Sequence, residues 1–112
     1  MSDEFMSILD EAYSLVHGPR QESYGHPFDD LTRTGRMWGA ILGTEDIPAE
    51  TVALCLVAVK ISREVNGHKH DNLVDMAGYA EVAALARAER ERRDRTYPLF
   101  VVPASEQPED GE

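Results

Sequence analysis

The chain has 112 residues, room for one compact domain with one core and none for a second catalytic module. Its 42% hydrophobic and 29% charged residues are the balance of a folded soluble protein and exclude a disordered or fibrous chain. With 11 basic against 21 acidic side chains, a net charge of −10, it lacks the basic stripe that binding to a nucleic acid polymer requires.

Phe5, Ile8, Leu9, Ala12, Leu15 and Val16 recur at helical spacing and predict a first helix over about 3–17, with Ser2 as cap and Gly18 as stop. Pro19, Gly25 and Pro27 then break the stretch from Gly18 to Pro27, which reads as an irregular loop long enough to carry function. A second helix is predicted over Phe28–Leu42, with Asp29, Arg33 and Arg36 on its solvated side and Gly35 and Gly39 weakening it. Asp46 as cap and Pro48 in the first turn open a third helix that runs to Asn66 and ends at Gly67.

Between Val52 and Ile61 the third helix is apolar in almost every direction, which predicts the central element of the fold and places Cys55 in the core. A single thiol forms no intrachain disulfide and suits a reducing compartment. The eight-residue apolar run Val52–Val59 is too short to span a bilayer, and the acidic N-terminus does not read as a secretory signal, so the expected location is the cytoplasm.

A fourth helix, about Asp71–Arg95, follows the link Gly67–His70 and is apolar on more sides than one four-helix layer covers, which predicts a homo-oligomer, a dimer or higher assembly. The expected fold is an all-α, four-helix bundle over residues 1–96. Residues 97–112 read as an extended arm, Tyr97–Val102, followed by an acidic, disordered tail.

At 100° per residue, Asp75 lies between Tyr79 and Val82 and points where the fourth helix is buried. A carboxylate there needs a proton, a basic side chain or a metal ion. Asp71 stacks one turn earlier, so the two carboxylates offer oxygen ligands for Mg²⁺, or else cap the helix and pair with a base. Asp30 on the second helix also faces inward. Lys60 and Glu64 form a polar stripe on the third, either an i,i+4 ion pair or part of a site.

The segment Arg20 to Pro27 offers a guanidinium for phosphate, Tyr24 as a stacking face and His26 as a hydrogen-bonding edge. Alternatively, Tyr24 packs on Trp38 and His26 caps the second helix. His68 and His70, two apart with no cysteine nearby, make a poor zinc site and read as exposed loop residues.

The runs Ile8 to Ala12, Gly18-Pro19-Arg20, Tyr24-Gly25-His26-Pro27, Lys60-Ile61-Ser62-Arg63 and Asp71 to Tyr79 resemble a family of small tailed-phage proteins. That family is in turn described as similar to the all-α nucleotide pyrophosphohydrolases of the MazG type. The resemblance covers residues 8–86 and implies a four-helix, Mg²⁺-binding fold that forms a homo-oligomer, a dimer or tetramer. MazG-type enzymes carry Glu-x-x-Glu on one helix and Glu-x-x-Asp on the next, whereas this chain has Asp71-x-x-x-Asp75, with Asp75 in the place of the final aspartate.

The leading expectation is a Mg²⁺-dependent nucleoside triphosphate pyrophosphohydrolase with Lys60, Glu64 and Asp75 as catalytic residues. Asp30, Asp71 and Asp75 would hold metal, and Arg20, Tyr24, His26 and Arg63 would hold the nucleotide. The alternatives are a phage protein that sequesters a signalling nucleotide without turnover, and an acidic helical interaction protein.

Overall fold

The computed structural model describes residues 6–96, in which all regular structure is helical. Five helices follow in order: α1 (Ile8–Val16), α2 (Pro19–Tyr24), α3 (Pro27–Leu42), α4 (Ala49–Asn66) and α5 (His70–Thr96). The fold is all-α, built on four main helices with the short α2 inserted between the first two. The predicted arm and tail over 97–112, and the predicted cap Ser2 with Phe5, lie outside the described residues.

Helix α1 begins later than its apolar pattern suggested. The Ser7 side chain accepts a hydrogen bond from the Asp10 N–H at 3.1 Å, and Asp10 and Glu11 complement the positive end of the helix dipole. The segment expected to be an irregular loop is instead α2. Pro19 stands at its first turn, where the missing N–H costs nothing, and Gly25 ends it at φ 79°.

Helix α3 opens on His26, whose Nδ1 accepts from the Phe28 N–H at 3.0 Å. It closes on Gly43 in the left-handed region at φ 73°. Gly35 and Gly39 have a specific use. The turn leading to α4 lies directly on α3, so a Cβ at Gly35 would stand 1.8 Å from the Ile47 carbonyl oxygen, and one at Gly39 2.6 Å from that of Glu45. The Ile47 N–H donates to the Gly35 carbonyl at 3.1 Å across this contact. The expected cap Asp46 instead pairs with Arg36 at 3.8 Å, and Pro48 holds the N-cap position of α4.

The hub of the fold is α5, which packs against α1, α3 and α4. The prediction that the third main helix, α4, is central is therefore corrected. Only its first turns are buried, through Ala49, Val52 and Ala53, whereas Leu54, Val59, Ile61 and Val65 are exposed. Cys55, expected in the core, is exposed as well. The core consists of Val16, Leu31, Ala49, Val52, Ala53, Val82 and Ala86, with Phe28, Trp38 and Leu56 partly covered beside it. Two histidine bridges hold α1 onto α5: His17 to Glu81 at 2.7 Å and His70 to Glu11 at 2.9 Å.

Candidate functional site

The short link 67–69 folds the end of α4 back along the start of α5, so residues 60–63 face residues 71–75. Lys60 Nζ lies 2.8 Å from Asp75 Oδ2, with the two side chains 18% and 35% exposed. The half-buried carboxylate anticipated on α5 is thus answered by an ammonium from α4. Around this pair opens a cleft of about 770 Å³ lined by Lys60, Ser62, Arg63, Asn66, Gly67, His68, Lys69, Asp71, Asn72 and Asp75. Neither Arg63 nor Lys69 has a side-chain ion-pair partner among the described residues, and Asp71 is exposed.

Glu64 does not pair with Lys60. Its carboxylate is turned into the link, where it accepts from the Lys69 N–H at 3.0 Å and from Asn72 Nδ2 at 3.1 Å and shares a short hydrogen bond with His68 Nδ1. These hydrogen bonds, that from His68 first, lower its pKa from the usual 4.5 to about 2. Glu64 therefore fastens the α4–α5 link that shapes the cleft. Asn72, 5% exposed, is the one buried polar residue among those described, and Glu64 satisfies its amide.

A second cavity, about 180 Å³, lies between α1, α2 and α5. Ala12, Leu15, Val16, Val74 and Val82 form its apolar walls, and Arg20, Asp75, Gly78 and Tyr79 complete the lining. The Arg20 guanidinium lies 5.3 Å from the ring centre of Tyr24 and 5.5 Å from that of Tyr79, and 3.7 Å from Asp30 Oδ2. Asp75 lines both cavities.

The structure brings together Lys60, Arg63, Asp71 and Asp75 in the cleft, with Arg20 in the adjoining cavity. Asp30 is held by Arg20 and lines neither space, and among the described residues no group of three or more His, Cys, Asp or Glu side chains is placed to hold a metal ion. His26 is used as the cap of α3, and Tyr24 is exposed with its ring on Arg20. On the solvated side expected for α3, Arg33 is exposed, but Asp29 reaches Arg93 on α5 at 3.1 Å. His68 and His70 are exposed, as expected of loop histidines, although His70 opens α5 and both bridge to glutamates.

Sequence reasoning passed over Lys69, Asn72, Gly78 and Tyr79. Tyr79 was within reach, since it stands one turn after Asp75 on the same face. Asn72 carried no signal, because its partner Glu64 lies across the link.

Residues 7–87 match the family described as Domain of unknown function (DUF6378). Over 78 residues the chain is 37% identical to the Gene 55 protein of Mycobacterium phage L5, covering 69% of this chain and 50% of that protein. Over 75 residues it is 39% identical to the Gene 55 protein of Mycobacterium phage D29, covering 66% and 49%. The chain thus spans about half the length of the curated relatives it matches. No solved structure matches it. With the matched segment running from the cap of α1 to the buried stretch of α5, the chain belongs to the DUF6378 family, with relatives among mycobacteriophage proteins.

Proposed function

We propose that this is a phage nucleotide-binding protein that takes the phosphates of its ligand in the α4–α5 cleft. One observation carries the reading: Lys60, Arg63 and Lys69 open on one cleft of a protein whose net charge is −10. There three cations stand beside the two carboxylates Asp71 and Asp75, within a space of nucleotide size.

Two carboxylates, Asp71 and Asp75, open on the same cleft. This donor set suits a Mg²⁺ ion that takes most of its shell from phosphate oxygens and water, not a resident ion caged by protein. Bound there, the ion would screen the phosphates. Lys60 would hold a phosphate oxygen, Arg63 and Lys69 would fix the chain of phosphates, and Glu64 would keep the link in shape.

The two carboxylates favour a second reading, hydrolysis of a nucleoside triphosphate between its α- and β-phosphates in the manner of the MazG-type enzymes. Binding comes first because the cations of the cleft support it without requiring a reaction. The proposal includes a homo-oligomer in the host cytoplasm. Among the described residues, no helix is long and apolar enough to cross a membrane.

The test is calorimetric titration of the purified protein with a panel of ribo- and deoxyribonucleoside triphosphates, with and without Mg²⁺, alongside assay of pyrophosphate release. Saturable binding that weakens about tenfold or more in Lys60→Ala is expected, since one charge-assisted contact is lost. Release of pyrophosphate that stops in Asp75→Asn establishes the second reading. No binding to any nucleotide removes both and leaves an acidic helical interaction protein.

A further inference from the structure

Three glycines sit inside long helices, and two of them are explained by packing, since a Cβ at Gly35 or Gly39 would collide with the backbone of the turn before α4. Gly78, in the middle of α5, is different. A Cβ there would meet only Val16 Cγ2, at 3.5 Å, an ordinary contact, and its backbone does not take the positive φ that favours glycine. Glycine in a helix interior is destabilising relative to alanine, so neither the backbone nor the packing calls for its absent side chain. What the missing Cβ leaves open is the wall of the 180 Å³ cavity between α1, α2 and α5.

That cavity has the character of a ring site. An apolar space of about 150 Å³ takes one aromatic ring. Here the walls are largely aliphatic, and the charged side chains of the lining are Arg20, a donor, and Asp75, an acceptor. Tyr79 adds an aromatic surface at the same wall. The cavity is continuous in its lining with the phosphate cleft, because Asp75 faces both.

We propose that this cavity is the base subsite of the nucleotide. A flat heterocycle enters between α1 and α5 over Gly78, its donor and acceptor edge meets Asp75 and Arg20, and its phosphates lie in the α4–α5 cleft. The inference rests on the phosphate reading above and adds to it where the base goes. It also gives α1 a role: pinned at both ends by the His17 and His70 bridges, it forms the wall facing Gly78.

The test compares three probes on the full chain in Mg²⁺: inorganic tripolyphosphate, a nucleoside, and the matching nucleoside triphosphate. Stacking and edge contacts should make the triphosphate bind about tenfold or more tightly than tripolyphosphate. Gly78→Leu, which fills the cavity, should remove that advantage while leaving tripolyphosphate affinity unchanged. Gly78→Ala guards against misfolding, because it should melt no lower than the wild type and still weaken the nucleoside triphosphate. Equal affinity for tripolyphosphate and nucleotide, or nucleotide affinity indifferent to Gly78, overturns the base subsite and leaves the phosphate cleft standing. A nucleoside that binds where tripolyphosphate does not upholds the base subsite and removes the cleft reading. Failure of all three probes overturns both.

Discussion

Lys60 and Asp75 decide how the site behaves, because each is the other's neutralising partner and both stand in the cleft. Lys60→Met strands the Asp75 charge. With that carboxylate about one third exposed, solvent absorbs much of the penalty, and a loss of about 1 kcal/mol is expected in urea unfolding. Asp75→Asn keeps the shape and an acceptor for Lys60, so the unfolding midpoint should move less.

Glu64 titrates differently in the two states: its pKa is about 2 when folded, against an ordinary 4.5. Its contribution to the link is therefore fully present above about pH 4.5 and disappears as the pH falls toward 2. The melting-temperature gap between wild type and Glu64→Gln should accordingly be open at pH 5–7 and closed near pH 2. A gap independent of pH would mean that the charge on Glu64 plays no part. The inward position of Asp75 and the polar character of Lys60 and Glu64 were legible in the sequence. Their pairing was not: helical projection shows where a side chain points on its own helix but not which residue of the facing helix meets it, and Glu64 was claimed by a link that projection does not describe.

At the scale of elements, the glycines separate two kinds of constraint. Gly35→Ala drives a methyl group into the Ile47 carbonyl and should cost about 2–3 kcal/mol, with the turn 44–48 displaced. Gly78→Ala carries no such collision and should raise stability by about 0.5–1 kcal/mol, the ordinary helix preference for alanine. Urea melts of the two variants check both signs, and equal effects would contradict the packing described for α3.

The long helices were legible because their apolar spacing and stop signals agree, with Gly43 and Gly67 ending α3 and α4. The short α2 was hidden because Pro19 and Gly25 read as breakers, whereas one starts that helix and the other ends it. Gly35 and Gly39 looked like weaknesses for the same reason: propensity is local, and the turn that lies on them is not.

For the whole molecule, the thinness of the core is the governing fact. Among the described residues, the largest fully buried side chains are Val52 and Val82, while Leu54, Ile61 and Val65, on one stripe of α4 with Ala58, are exposed, Val65 by 83%. The apolar excess of the third and fourth predicted helices was visible in the sequence, but the helix that carries the uncovered face is α4, because α5 took the central place. An α4 seam of this spacing suits packing against a second copy. Sedimentation at micromolar concentration should show a dimer or larger assembly, and Ile61→Glu should shift it to monomer without unfolding the chain. A wild type that sediments as monomer throughout would contradict this.

The placement of a nucleotide across the α4–α5 cleft and the adjoining cavity is tested most directly by amide NMR during titration with a nucleoside triphosphate and Mg²⁺. Resonances of residues 60–75 should move with the phosphates, and those around Gly78 and Arg20 with the base. Saturable shifts centred on another surface, such as the polar end of α5 over 87–94, or no shifts at all, would contradict the account.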